Sequence, residues 1–248
     1  MRLRPDGRAP EEMRPVRLQR GFLPKAEGSC LVEIGRTRVV CTVTVEEKVP
    51  GWRRGQGGWL TAEYAMLPRA TEDRTPREVS RGRPAGRSQE IQRLIGRSLR
   101  AAVDLAAIGD RTLWVDCDVL EADGGTRTAS ITGAAVALCD ALAWLTDRDG
   151  SVKRPLSHLV AAVSCGIVGG NPVLDLCYAE DSQAAVDANF VLTDAGEFVE
   201  VQATGEGGTL KPAQLEELLG LAQHGTAELF LLQRAALGEQ IGKVMRRA

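Results

Sequence analysis

The sequence contains few of the residues from which common catalytic sites are built. Only two of its 248 residues are histidines, His158 and His224, and neither belongs to a nucleophile or metal-binding motif. Aromatic residues account for 4% of the chain, so Val, Leu, Ile and Ala must supply most of the core. Catalysis by histidine is therefore a poor explanation for this protein.

Paired cysteines and long apolar runs are also missing. The six cysteines stand far apart in apolar stretches, without a Cys-x-x-Cys pair or an adjacent histidine, which predicts reduced core thiols rather than disulfides or zinc ligands. No apolar run reaches the roughly 18 residues of a membrane span, and the N-terminus carries no apolar signal region. We expect a soluble cytoplasmic protein that has no membrane partner.

Positive charge is concentrated in one part of the chain. The formal net charge of −2 predicts no general attraction to nucleic acid. However, 26 of the 31 basic residues are arginines, and nine of these fall between positions 69 and 100, against four acidic residues. The planar guanidinium group suits phosphate better than the lysine ammonium does. This zone favours a phosphate-handling surface, although a merely solvated face would have the same composition.

The first half of the chain reads as strands followed by helices. β-branched residues indicate strands, alternation of apolar and polar residues indicates a further strand, and three- and four-residue apolar spacing indicates helices. The predicted elements are strands at 29–35, 37–47 and 113–119 and helices at 89–106 and 128–145, with exposed loops at 50–58 and 68–86. The second helix is small or apolar nearly all round, so we expect it to be central.

The second half repeats that order. Its predicted elements are strands at 159–168, 173–178, 184–193 and 197–204, then a helix from Pro212 and another from Thr226. The halves share no evident sequence identity, so their relation rests on the order of elements. The sequence thus predicts an α/β (α+β) fold with duplicated ββαβα-like halves, about 1–150 and 151–248, in one domain of 1–248.

A double glycine, Gly124-Gly125, joins the third predicted strand to the central helix. Such a turn directs backbone N–H groups and the positive end of the helix dipole at one spot, and Arg127 would add a bidentate charge. This pattern predicts a phosphate or carboxylate site. The equally weighted alternative is that the glycines only turn the chain while Thr126 or Thr128 caps the helix.

Two carboxylates, Asp181 and Asp187, lie in a short segment of the second half. If they converge, they could hold Mg²⁺, which prefers one or two carboxylates together with substrate phosphates. Six residues of straight strand would separate them by about 20 Å, so the segment must bend. The simpler interpretation is two acidic residues at strand ends.

Many blocks, in order along nearly the whole chain, resemble the ribonuclease PH family. They are RPDGR at 4–8, VEEKVP at 45–50, WLTAEYAMLPR at 59–69, GRSQEIQRLIGRSLR at 86–100, VDCDVL at 115–120, GGTRTAS at 124–130, EDS at 180–182 and VQATGEG at 201–207. The resemblance implies a phosphorolytic 3′-to-5′ exoribonuclease, or tRNA nucleotidyltransferase, that trims tRNA precursors. It also implies the duplicated ββαβα fold, assembled as a homohexamer formed by three dimers.

The resemblance further implies roles for particular residues. The family's phosphate site falls on Arg87, Gly125, Thr126 and Arg127, with inorganic phosphate as co-substrate. Its two catalytic carboxylates fall on Asp181 and Asp187, which would hold Mg²⁺ or Mn²⁺, and Arg127 would act with them. The arginines of the connector that face RNA match Arg69, Arg74 and Arg77.

One residue departs from the family pattern, and two other functions stay open. Cys177 stands where the family has an aspartate, which removes one acidic group beside the carboxylates. The alternatives are a ring subunit that binds RNA without catalysis and a hydrolytic, metal-dependent nuclease. The intact Arg127, Asp181 and Asp187 argue against the first, and the scarcity of metal ligands argues against the second.

Overall fold

The computed structural model describes residues 4–83 and 85–246, so Pro84 of the predicted loop at 68–86 lies outside the described residues. The first half forms a five-stranded sheet in the order β1-β2-β3-β5-β4, in which only β4 and β5 run parallel. Its strands are β1 (Val16–Arg20), β2 (Gly28–Ile34), β3 (Thr37–Glu46), β4 (Trp59–Met66) and β5 (Thr112–Glu121).

The second half forms a four-stranded antiparallel sheet in the order β7-β6-β8-β9. Its strands are β6 (Val160–Val168), β7 (Asn171–Leu174), β8 (Val186–Thr193) and β9 (Phe198–Gly205). The helices are α1 (Gly86–Arg100), α2 (Thr126–Arg148), α3 (Tyr178–Asp181), α4 (Pro212–Leu237) and α5 (Gln240–Val244). Two sheets packed with helices confirm the predicted fold class.

Helix α2 is the centre of the molecule, as the sequence predicts. It packs against β2 and β3 of the first sheet and against β6 of the second, so the two halves share one core. By length and composition α2 would suffice for a membrane span, but 89% of its apolar window is buried inside the protein. Lipid therefore has no access to this helix, which acts as the core helix between the sheets.

Several predictions about elements were wrong for tertiary reasons. Strand β4 was missed because its alanines and glutamate are weak strand formers, although its alternate residues are buried. Helix α1 ends at Arg100 instead of 106, because the chain turns there and Val103 pairs with Leu156. The predicted strand at 173–178 ends at Leu174, and Tyr178 begins α3.

Helix α4 is one continuous helix, and no second helix begins at Thr226. The Gly225-Thr226 pair looks like a helix boundary, but Gly225 is required by packing: a Cβ there would lie 2.8 Å from Cδ1 of Leu174. The Thr226 hydroxyl donates to the carbonyl of Ala222 within the same helix, at 2.8 Å. Close approach to the sheet, not a chain break, explains the pair.

Candidate active site

A cavity of about 270 Å³ lies where the N-terminal ends of α1 and α2 meet α3 and the beginning of β8. Its lining includes all six residues that the sequence assigned to phosphate binding or to the carboxylate pair: Arg87, Gly125, Thr126, Arg127, Asp181 and Asp187. The remaining lining residues are Ser164, Leu176, Tyr178, Ser182, Asn189 and Glu206. The fold therefore brings together groups from both halves of the chain.

The turn before α2 has the conformation that an anion site needs. Gly124 and Gly125 have φ of +79° and +67°, in the left-handed region that favours glycine. Gly125 is the residue that precedes the helix, and no side chain caps it. The first N–H groups of α2 are thus left for a ligand, at the positive end of the helix dipole.

Gly124 also packs against the segment that leads into α3. A Cβ at this position would lie 2.5 Å from the carbonyl oxygen of Leu176 and 2.9 Å from the nitrogen of Tyr178. Only a residue without a side chain permits that approach. Because α3 ends at Asp181, this contact sets one carboxylate beside the helix end that would bind the anion.

The chain bends between Asp181 and Asp187, as their convergence requires. The bend is made by the short helix α3 and the connection at 182–185, and not by a β-bulge. The irregularity in the pairing of β8 with β9 lies farther along, at Val191 and Leu192. The two carboxylates consequently line the same cavity.

The cavity perturbs both carboxylates in the same direction. Burial raises the pKa of Asp181, and the charge of Glu206 raises it further. Burial also raises the pKa of Asp187, followed by repulsion from Asp181, while the positive charge of Arg127 partly offsets these effects. Asn189 donates a long hydrogen bond of 3.5 Å to Asp187. Sequence patterns had not singled out Glu206, which lies on the loop after β9.

The guanidinium of Arg127 is held on one side and open on the other. Its Nη1 donates to Oε1 of Gln202 at 2.9 Å and lies 3.4 Å from Oε1 of Glu90. Gln202 in turn donates to the same Glu90 oxygen at 2.9 Å. Within the described residues, Nε and Nη2 of Arg127 have no hydrogen-bond partner. Arg127 can therefore keep this anchor and still present a fork to an oxyanion.

The second predicted phosphate ligand, Arg87, is the second residue of α1. Its side chain is exposed, and it makes no hydrogen bond within residues 4–83 and 85–246. Its charge nevertheless lowers the pKa of Asp181 against the effect of burial. Arg87 thus supplies the cavity with a second positive charge.

The three connector arginines do not line the cavity. Arg69, Arg74 and Arg77 are exposed on the segment that follows β4. This connector is tied to the site, because the N–H of Ala122, just before the glycine turn, donates to the carbonyl of Ala70 at 2.8 Å. The beginning of the connector therefore lies near the glycine turn, while the three arginines themselves are outside the cavity lining.

Cys177 does not face the carboxylates. It precedes α3, is buried, and its backbone N–H donates to Glu180 at 3.0 Å. Its side chain is not part of the cavity lining. The position that lacks the acidic group therefore lies at the beginning of α3 and outside the site lining.

Sequence reasoning missed two sets of residues that support the site. The hydroxyl of Tyr64 lies 2.9 Å from Oγ1 of Thr126, and burial raises the pKa of this tyrosine. Behind the glycine turn lies a buried cluster of ion-pairing side chains, formed by Arg4, Arg8, Arg14, Asp175 and Glu180. The only signal was that some of them occur in the blocks shared with the ribonuclease PH family.

Replacement of Gly124 by alanine should cost more stability than an ordinary glycine of the same conformation. Gly170 is the matched control, since its φ is +85° and no atom would contact its Cβ within 4 Å. We expect G170A to cost about 1–2 kcal/mol of backbone strain and G124A about 1–3 kcal/mol more from overpacking. Urea unfolding measures both values. Equal losses would contradict the close contact with 176–178.

Neutralisation of Asp187 should stabilise the metal-free protein against unfolding, although it should remove the catalytic activity of the site. Folding raises the pKa of such a carboxyl group, so the group favours the folded state when it is protonated. This contribution to stability is complete below the pKa of the unfolded state and is lost as the pH rises through the pKa of the folded state. Ionisation of Asp187 in the cavity thus opposes folding, and D187N should raise the free energy of unfolding. Urea titrations in EDTA at pH 7 and pH 4 test this, and the gain should shrink at pH 4. A loss of stability at pH 7 would contradict the expected electrostatic cost.

Comparison with known proteins identifies the family. Residues 12–143 match the model of the 3′ exoribonuclease family, domain 1, and residues 158–225 match that of domain 2. Ribonuclease PH of Methylobacterium radiotolerans is 60% identical over 95% of this chain and 100% of that protein.

Solved structures share the fold. Rice Rrp46 matches with a TM-score of 0.78 at 20% identity, over 94% of this chain and 100% of that one. A chain of the Archaeoglobus fulgidus exosome with RNA bound to the active site matches with a TM-score of 0.77 at 27% identity, over 92% of each chain. With two family models covering most of its length and a relative of such high identity, the chain belongs to the 3′ exoribonuclease family.

Proposed function

We propose that the protein is a phosphorolytic 3′-to-5′ exoribonuclease that shortens the 3′ ends of tRNA precursors. One observation carries the reaction type: the open N-terminal end of α2, two guanidinium groups and two carboxylates line one cavity. That arrangement provides an oxyanion site directly beside groups able to act on a phosphodiester. The relative at 60% identity is named Ribonuclease PH, which supports the same activity.

The reaction needs little covalent chemistry from the protein. An oxygen of inorganic phosphate attacks the last phosphorus of the RNA, and the bond from that phosphorus to the preceding 3′ oxygen breaks. The products are a nucleoside 5′-diphosphate and an RNA that is one nucleotide shorter and ends in a 3′ hydroxyl. One phosphate bond replaces another, so addition of nucleotides from diphosphates is expected in reverse. The protein contributes positioning and neutralisation of charge.

Several groups in the cavity have a separate task in this scheme. The N–H groups at the beginning of α2, with Arg127 and Arg87, hold and orient the attacking phosphate. Asp181, at the end of α3, is the carboxyl that would donate a proton to the leaving 3′ oxygen when it is protonated and not a metal ligand. Gln202 and Glu90 hold Nη1 of Arg127, so that its remaining N–H groups keep their direction.

Asp181 and Asp187 are also suited to hold Mg²⁺ or Mn²⁺. Within the described residues no three histidine, cysteine or acidic side chains are grouped closely enough to form a metal site by themselves. Two carboxylates completed by substrate phosphates do fit the preference of Mg²⁺. When bound, the ion supplies compensation for the charge on the transferring phosphoryl group. The same lack of a dense ligand set disfavours a hydrolytic two-metal nuclease.

The proposal extends to assembly and location. We propose a homohexamer made of three dimers, supported by the likeness to a chain described as part of the archaeal exosome core, with a TM-score of 0.73 at 25% identity. A cytoplasmic location is supported by the cysteines, since all six are free and buried, as expected in a reducing compartment.

The reaction type can be tested with one incubation. RNA with a single-stranded 3′ tail is mixed with the protein in the presence and absence of inorganic phosphate, and the products are separated by chromatography. Nucleoside diphosphates that form only with phosphate are the expected result. Monophosphates formed equally well without phosphate would establish hydrolysis instead, and bound RNA without products would establish a binding subunit.

Removal of the Arg127 guanidinium should reduce phosphorolysis strongly. The loss of a charge-assisted contact to the reacting phosphate costs about 2–4 kcal/mol, which is tens to several hundredfold in rate. The measurement is kcat/KM for phosphate in R127A. R93A is the matched control, because Arg93 is exposed on α1 and does not line the cavity. Normal phosphate-dependent activity in R127A would contradict the assignment.

Arg74 should contribute to the binding of RNA and not to the binding of inorganic phosphate. It is exposed on the connector and lies outside the cavity lining. In R74A we expect weaker RNA binding, with the slope of log K against log salt smaller by about 1, and an unchanged KM for phosphate. Fluorescence anisotropy over a salt series measures the slope, and K153A is a control far from the connector in sequence. An unchanged slope would contradict the assignment of Arg74 to the RNA-binding surface.

A further inference from the structure

The carbonyl side of the glycine turn is held by a buried arginine. Nε and Nη2 of Arg14 donate to both oxygens of Asp175 at 2.8 and 2.7 Å. The same guanidinium donates through Nη1 to the carbonyl of Asp123 and through Nη2 to that of Gly124, the latter at 3.4 Å. Arg14 is 5% exposed and Asp175 is 3% exposed. The pair is thus desolvated, and its remaining donors are directed at the turn.

A buried hydroxyl makes a second contact with the same side. Oγ1 of Thr37, at the beginning of β3, donates to the carbonyl of Gly124 at 2.7 Å and accepts the N–H of Asp123 at 2.9 Å. Thr37 is completely buried. Two different elements therefore fix the carbonyl of Gly124.

These contacts determine where the opposite side of the turn points. In a trans peptide the C=O and the following N–H are antiparallel. Since the carbonyls of Asp123 and Gly124 point toward Arg14, the N–H groups of Gly124 and Gly125 point the other way. Arg14 lines a separate cavity of about 690 Å³ that includes Asp6 and Arg8, whereas Gly125 lines the candidate active site. Arg14 thus contacts the turn from behind.

The same cluster holds the segment that carries Asp181. Arg4 donates to both oxygens of Glu180 at 2.7 and 2.9 Å, and Glu180 is the residue before Asp181. The N–H of Tyr178 donates to Asp123 at 3.3 Å. The glycine turn and α3 are therefore attached to one buried scaffold.

We propose that Arg14 and Thr37 are positioning residues for inorganic phosphate, which they orient without contact by fixing the peptide planes of the Gly124-Gly125 turn. This inference rests on the proposed phosphorolytic function and adds to it two residues outside the cavity. Their effect should appear in the affinity for phosphate and not in the affinity for RNA, because the connector arginines lie on another segment.

The decisive variants are at Thr37, because they leave the buried ion pairs intact. T37V keeps the shape of the side chain and removes the hydroxyl, whereas T37S keeps the hydroxyl. T226V is the matched control: Thr226 is also buried, and its hydroxyl bonds only within α4. We expect T37V to raise the KM for phosphate by about three- to tenfold, the equivalent of one hydrogen bond, with T37S and T226V close to wild type.

The dissociation constant for RNA, measured by anisotropy without phosphate, should be unchanged in all three variants. A second measurement uses R14K, which keeps the positive charge and loses the guanidinium group. The rise in melting temperature that phosphate causes should be smaller in R14K than in the wild type. If R14K does not fold, the Thr37 series still decides the question.

The two proposals fail in different ways. Wild-type protein that releases no nucleoside diphosphate would overturn the proposed function itself. Wild-type protein that does so, with a T37V variant whose KM for phosphate is unchanged, would overturn only the positioning role. An equal rise of KM in T37V and T226V would also overturn it, since the effect would then reflect general loss of packing.

Discussion

The contact between the glycine turn and the segment 176–178 is the constraint on which the site depends. The turn belongs to the first half of the chain and the segment to the second, and they approach so closely that a single Cβ at Gly124 would collide with the backbone. Because the turn begins α2 and the segment begins α3, this contact joins a helix end that is suited to bind an anion to a carboxylate. Without it, the two halves would each carry an incomplete site.

Paired charges lie on one side of that contact, and incompletely paired charges lie on the other. Behind the turn, Arg4 and Arg14 neutralise Glu180 and Asp175 with short, buried hydrogen bonds. In the cavity, burial raises the pKa of Asp181 and of Asp187, and repulsion from Glu206, with repulsion from Asp181 on Asp187, adds to it, so that these effects together exceed their attraction to arginine. A buried charge without a full partner lowers the stability of the fold. The side with complete ion pairs therefore stabilises the structure. The underpaired side is the one that a cation and a phosphate would complete.

Local patterns predicted those elements whose formation depends on their own residues. The β2–β3 hairpin, α1, β5 and α2 follow from periodicity and from glycine at the turns. Strand β4 and the unbroken α4 do not, because partner strands and the sheet beneath them override weak or misleading local preferences. The same reason explains the missed cluster: nothing near Arg14 in sequence indicates that Asp175, 161 residues away, is its partner.

The sequence by itself determined the fold class, the family resemblance and six of the residues that line the cavity, because these depend on residue type and order. The Gly124-Gly125 pattern also predicted an anion site, with a simple turn of the chain as the equally weighted alternative. Only the tertiary structure decided that Asp181 and Asp187 share a cavity, that Cys177 does not face it, and that Arg14 lies behind the turn. Each of these depends on how α3 bends the chain and on contacts between residues far apart in sequence, which no local pattern records.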